Sequence, residues 1–134
     1  MNLYSKDFYE MQELGTQLNV CCLSLKGDSS IDACLALIDK VVDAIGMTKA
    51  QDATCYHYPF MNKGGTGTTI VQPITESFLV VDSWVDFDGI YLLVASCKDY
   101  DEDVLRDTVK ANGYRVVDHL EKSTVSLDEN RGGN

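Results

Sequence analysis

The sequence is short of positive charge. Eleven Lys and Arg residues stand against 21 Asp and Glu, a net charge of -10 over 134 residues. Binding along a nucleic-acid backbone needs clustered Lys and Arg, so no nucleic-acid partner is expected. Long apolar runs are also missing. None approaches the roughly 18 residues of a membrane span, so no membrane association is expected. The opening segment, MNLYSKDFYEMQEL, mixes charges of both signs without a long apolar centre, and it does not read as a signal peptide. Histidine is scarce, with only His57 and His119, and no C-x-x-C pair occurs, so no metal site is expected. The five cysteines, Cys21, Cys22, Cys34, Cys55 and Cys97, are odd in number. With no export signal, they fit a reducing, cytoplasmic compartment better than a disulfide framework.

What is present is enough to build a core. The apolar fraction of 45% argues against disorder, and the length fits a single domain over residues 1–134. Residues 1–14 read as a lead-in, and the polar, glycine-rich stretch from Leu127 reads as a frayed tail, 128–134 above all. Gln17 to Leu25 reads as a strand. Its adjacent Cys21 and Cys22 point to opposite faces and are expected to be small buried hydrophobes. Ser29 or Ser30 caps a helix running to about Ile45. Ile31, Cys34, Leu35, Ile38, Val41, Val42 and Ile45 keep the 3-and-4 spacing of one helix face. Gly46 suits the position just past its end.

Ala53 to Phe60 reads as a strand with Tyr56, Tyr58 and Phe60 on one face. The glycines of Asn62 to Thr69 could suggest a phosphate cradle. The Walker lysine and a following helix are both missing, so the stretch is read as a hairpin loop. Further strands are expected at Thr69 to Ile74, Ser77 to Trp84 and Ile90 to Cys97, with a polar turn at Asp86 to Gly89. A second helix spans Tyr100 to Asn112, with an acidic first turn that suits its dipole and Gly113 at its end. Tyr114 to Leu120 closes the set.

Two helices and a mostly antiparallel sheet predict an α+β fold, a two-layer α/β sandwich with both helices on one face. The other face needs a cover. Ile90, Leu92 and Val94 alternate with Tyr91, Leu93 and Ala95, and Phe78 and Val80 alternate with Leu79 and Val81, so both faces are apolar. A second copy is the simplest cover, which makes a homodimer the expected state.

The stretch Thr75 to Cys97, TESFLVVDSWVDFDGIYLLVASC, carries the chemistry. It places a Glu-Ser pair at the start of one strand and a lone thiol at the end of the next. Glu76, Ser77, Leu79, Trp84 and Cys97 keep the register of a pattern written roughly S-E-S-H-L-T-I-H-T-W-P-E, with a cysteine thirteen residues after the tryptophan. In this the chain resembles the bacterial S-adenosylmethionine decarboxylase family, from about Leu14 to Leu127. Leu14-Gly15 and Val116-Val117-Asp118-His119 add support.

The resemblance implies a pyruvoyl-dependent decarboxylase that makes the aminopropyl donor for spermidine. Ser77 would attack the carbonyl of Glu76 and form an ester. β-Elimination and hydrolysis would then leave a pyruvoyl group at the new N-terminus. That group would form a Schiff base with the substrate amine and act as an electron sink. Cys97 matches the cysteine that reprotonates the substrate carbon, and Thr69 matches an upstream hydroxyl used in processing. The family's processing histidine is replaced by Asp82, a carboxylate that could relay a proton only with a raised pKa. An acidic position in the first strand is Cys21 here. Trp84-Val85-Asp86 stands for Trp-Pro-Glu, so Asp86 would accept ribose hydroxyls, with Trp84 beside it and Tyr56, Tyr58 or Phe60 lining the adenine. The family architecture is a dimer with active sites near the subunit interface. Two alternatives stand beside this reading. One is a family member with a changed substrate or reaction. The other is an unprocessed homologue that binds a nucleoside-like ligand or regulates.

Overall fold

The computed structural model describes residues 16–59 and 66–128. The expected lead-in at 1–14, the end of the tail from 129, and Phe60 with the first half of the glycine loop lie outside them. Six strands form one sheet: β1 (Gln17–Lys26), β2 (Thr54–Pro59), β3 (Thr66–Ile74), β4 (Ser77–Trp84), β5 (Gly89–Ser96) and β6 (Arg115–Ser126). Two helices complete the fold, α1 (Ile31–Ala44) after β1 and α2 (Glu102–Ala111) after β5. The sheet order is β2-β3-β4-β5-β1-β6, and every neighbouring pair is antiparallel. The fold is the expected α+β arrangement, with the sheet wholly rather than mostly antiparallel.

Local chemistry sets the helix ends. The Ser30 side chain accepts a hydrogen bond from the Ala33 amide and so caps α1. Gly46, with φ 75°, takes the left-handed position past its last turn, which residues with a Cβ adopt less readily. Asp101 accepts from the amides of Asp103 and Val104 and caps α2, so Tyr100 and Asp101 precede the helix they were expected to open.

The core lies between the helices and one sheet face. Cys34, Leu37, Ile38, Val41 and Val42 of α1 and Leu105 and Val109 of α2 are buried. They cover Cys21, Leu23 and Leu25 of β1, Ile70 and Ile74 of β3, Leu79 and Val81 of β4, and Ile90, Leu92 and Val94 of β5. These are the alternate residues of each strand, as period-2 burial requires. Cys21 is buried here as expected. Cys22 is only half-buried, because alternation turns it to the opposite face.

That opposite face has no covering layer among the described residues. Register aligns its side chains in rows across the sheet. One row is Val20, Ala95, Phe78 and Pro73, and the next is Cys22, Leu93, Val80 and Val71. A third is Ser24, Tyr91, Asp82, Thr69 and Tyr56, and a fourth is Lys26, Gly89, Trp84, Gly67 and Tyr58. The first two rows are apolar. The last two are aromatic and polar.

Candidate active site

Ser77 opens β4 directly after the two-residue turn Thr75–Glu76, where it pairs with Ile74 on β3 and Ser96 on β5. Two-residue hairpins favour turns with positive φ inside the loop, whose twist matches the strands. Neither Thr75 nor Glu76 supplies one. The positive φ falls instead on Ser77, at 153°, a region ordinarily left to glycine. The misfit between turn and strand is thus taken up at the serine itself.

The carbonyl that Ser77 would attack is held in place. The Glu76 carbonyl oxygen accepts a 2.9 Å hydrogen bond from the Cys97 amide. A donor fixed on that oxygen favours the charge that develops there during attack at the carbon. The Glu76 side chain is tied as well, accepting from the Thr48 amide at 3.2 Å. Cys97 follows β5 directly and is half-buried. Glu76, Ser77 and Cys97 therefore meet at one end of the sheet, as the sequence spacing predicted.

Thr69 and Asp82 do not join them. They face each other across β3 and β4, with the Thr69 hydroxyl donating to Asp82 Oδ1 at 3.2 Å. Trp84 Nε1 donates to the other oxygen, Oδ2, at 3.1 Å. Asp82 lies five residues along a regular strand from Ser77, about 16 Å at the usual rise. An odd separation also turns it to the other face, away from Leu79 and Val81. Within one chain, Asp82 is thus not beside Ser77, and both of its oxygens act as acceptors. The first-strand position read as the family's acidic site, Cys21, is buried under the helices next to Tyr100, and burial pushes its thiol pKa up.

Trp84 and Asp86 sit at the Asp82 end. Asp86 is exposed in a short 3-10 helix, Val85–Phe87, where a plain turn was expected. The Trp84 and Phe87 rings meet edge to face with centroids 6.5 Å apart. They line an open cavity of about 390 Å³ with Lys26, Gly89, Tyr91 and Val117. Lys26 Nζ donates to the Phe87 carbonyl at 2.7 Å and lies 6.0 Å from its ring. Tyr58 is exposed in the same row as Trp84, with Gly67 between them. Lys26, Phe87 and Tyr91 were not singled out as binding residues in the sequence. Phe87, next to Asp86, was the one within reach of local reasoning. Lys26 is brought there only by the pairing of β1 with β5.

No protein-family model matches the chain, and no curated protein matches it. Among solved structures it is similar to the adenosylmethionine decarboxylase from Aquifex aeolicus VF5. The two share 17% sequence identity over 83% of this chain and 89% of that one, with a TM-score of 0.55. At that identity the likeness establishes a distant relationship of fold.

Proposed function

We propose that the chain is a self-processing, pyruvoyl-dependent decarboxylase of S-adenosylmethionine. The observation that carries this reading is the Glu76-Ser77 peptide, which has its carbonyl on the Cys97 amide and its backbone misfit on the serine. The serine Oγ adds to the Glu76 carbonyl carbon, and the acyl group passes from nitrogen to oxygen. Elimination then frees the Glu76 carboxylate, ends the first chain there and leaves a dehydroalanine, whose imine tautomer is hydrolysed by water with loss of ammonia. The pyruvoyl group left at the second N-terminus supplies the electron sink for loss of the substrate carboxylate. Cys97, beside that group, returns a proton to the substrate carbon. Trp84, Tyr58 and Asp86 at the cavity end bind the nucleoside, with Asp86 accepting from the ribose hydroxyls.

The chain works as a homodimer in this proposal. Its apolar rows, Phe78 and Val80 among them, are the surface a second sheet would cover. A two-fold axis lying between the two faces and across the strands sets the Ser77 end of one copy against the Asp82 end of the other.

Intact mass and a denaturing gel over an extended incubation test the reading. We expect slow conversion to one fragment ending at Glu76 and one beginning with pyruvoyl. Ser77→Ala should remain a single chain, and Asp82→His should convert faster. A chain that stays full length, with Asp82→His no different, overturns the proposal.

A further inference from the structure

The first strand carries a buried amide where its neighbours on the same face carry apolar groups. Asn19 stands in the helix-facing set with Cys21, Leu23 and Leu25, and only 4% of it is exposed. A buried amide is costly unless its polar ends are hydrogen-bonded. Here both ends are. Asn19 Nδ2 donates to the Ser96 carbonyl at 3.1 Å, and Oδ1 accepts from the Thr124 hydroxyl at 2.7 Å. A carbonyl oxygen carries no proton, so the amide nitrogen has to be the end that faces Ser96. We propose that Asn19 is a positioning residue for self-processing, holding and polarising the peptide whose N–H faces the Glu76 carbonyl. This rests on the decarboxylase reading and adds to it a residue that acts from the neighbouring strand.

Asn19 and Glu76 grip opposite sides of one peptide unit. The Ser96 carbonyl and the Cys97 amide belong to the same planar group, and in the trans form they point in opposite directions. Asn19 holds the carbonyl from β1, while the Cys97 N–H donates to the Glu76 carbonyl at 2.9 Å on the β4 side. Register explains the arrangement, since Ser96 pairs with Asn19 on β1 and with Ser77 on β4. A donor on a peptide oxygen draws electron density toward it and makes the N–H of that peptide a stronger donor in turn. The chain of hydrogen bonds runs from the Thr124 hydroxyl through the Asn19 side chain and the Ser96-Cys97 peptide to the Glu76 carbonyl. Its last atom is the oxygen on which negative charge develops as Ser77 attacks.

Neighbouring bonds keep that peptide from turning. The Ser96 hydroxyl donates to the Lys98 carbonyl at 2.7 Å and accepts from the Lys98 amide at 2.9 Å, which fixes the backbone just past Cys97. The Tyr100 hydroxyl lies 3.2 Å from the Asn19 carbonyl and 3.1 Å from that of Val94, so it ties β1 to β5 beside the same peptide. Ser96 itself has no exposure. A leucine at position 19 would suit the apolar neighbours and leave the Ser96 carbonyl without this donor. The amide at that position serves the peptide rather than the core.

Two readouts test this, the Cys97 amide and the rate of cleavage. Labelling with ¹⁵N-cysteine gives five backbone amide signals, one for each cysteine, and the Cys97 signal is the one lost in Cys97→Ser. In the unprocessed Ser77→Ala chain, Asn19→Leu should move the Cys97 amide proton upfield and speed its exchange with solvent, while Cys34 and Cys55 keep their positions. Thr124 is exposed, so its variants leave the core intact. Thr124→Val should move the Cys97 signal the same way by less, and Thr124→Ser, which keeps the hydroxyl, should leave it in place. With Ser77 present, loss of a direct oxyanion donor costs about 10²–10³ in rate. Asn19 acts one link further off, so Asn19→Leu should slow cleavage by about tenfold. Thr124→Val should slow it less, and Thr124→Ser not at all. An unmoved Cys97 signal in folded Asn19→Leu overturns the inference, and so does a cleavage rate equal to that of the unsubstituted chain. Should Asn19→Leu fail to fold, the Thr124 pair decides, and identical Cys97 signals in Thr124→Val and Thr124→Ser overturn it. An unsubstituted chain that is never cleaved removes the decarboxylase reading and the processing role with it, while the Cys97 signal still shows whether Asn19 polarises the peptide.

Discussion

Replacing Ser77 with glycine and with alanine should separate backbone strain at the serine from its chemistry. Neither variant carries a nucleophile, so both stay as one chain and can be compared without cleavage. In an ordinary strand, glycine is less stable than alanine by about 0.5–1 kcal/mol, because it loses more backbone entropy on folding. At Ser77 the φ of 153° reverses the comparison. A residue with a Cβ held in such a region costs about 1–3 kcal/mol, and glycine is largely free of that cost. Set against the entropy term, the glycine variant should be more stable by about 1 kcal/mol. For a chain of this size that is about 4 °C in Tm. Urea unfolding should give the same sign, with a raised midpoint and an unchanged slope. Alanine more stable than glycine, by the usual strand margin, would refute the claim that the Glu76-Ser77 junction is strained.

Two further outcomes follow from the packing. Burial pushes the Cys34 thiol up to about 11, and its side chain has no exposure. Iodoacetamide at pH 8 should therefore modify half-buried Cys97 well before Cys34 and Cys21, with peptide mass spectrometry as the readout. Equal labelling in the folded protein would contradict the described core. Val80→Asp, placed in the middle of an apolar row on the open face, should convert a dimer to a folded monomer in sedimentation at micromolar concentration. A wild-type chain that sediments as a monomer over that range would remove the dimer.

Much of the fold is legible where local chemistry is sharp. The strand Ser77–Trp84 matches its expected limits at both ends, because a Thr-Glu turn precedes it and a polar turn follows. The face of α1 follows from its 3-and-4 spacing, and Gly46 marks its end. Other limits depend on partners distant in the chain. β6 runs on from Leu120 to Ser126, although Glu121-Lys122-Ser123-Thr124 has no apolar alternation. It does so because Gln17 to Val20 of β1 supply hydrogen-bond partners there. β3 starts at Thr66 rather than Thr69, because Gly67 is clasped between Tyr58 and Trp84.

The site divides in the same way. The meeting of Ser77 with Cys97 followed from spacing, since adjacent antiparallel strands bring the start of one to the end of the next. The separation of Asp82 from Ser77 was also readable, because five residues along a strand mean a long interval and a change of face. The resemblance drew attention to which residues were present and away from where a strand would carry them. The aromatic row needed the full strand order, which joins Tyr56, near the middle of the chain, to Ser24, near its start.

The order of strands also governs what a break in the turn before Ser77 would do to the molecule. The first 76 residues hold β1, β2 and β3, and the remainder holds β4, β5 and β6. Across the sheet these alternate, since β1 lies between β5 and β6, and β3 lies against β4. The two pieces would stay interleaved by three separate ladders of backbone hydrogen bonds and by a common core. Neither piece has a complete sheet of its own to fold into. A severed molecule would therefore travel as one particle under native conditions and come apart only on denaturation. The cut would change the covalent chain and leave the architecture standing.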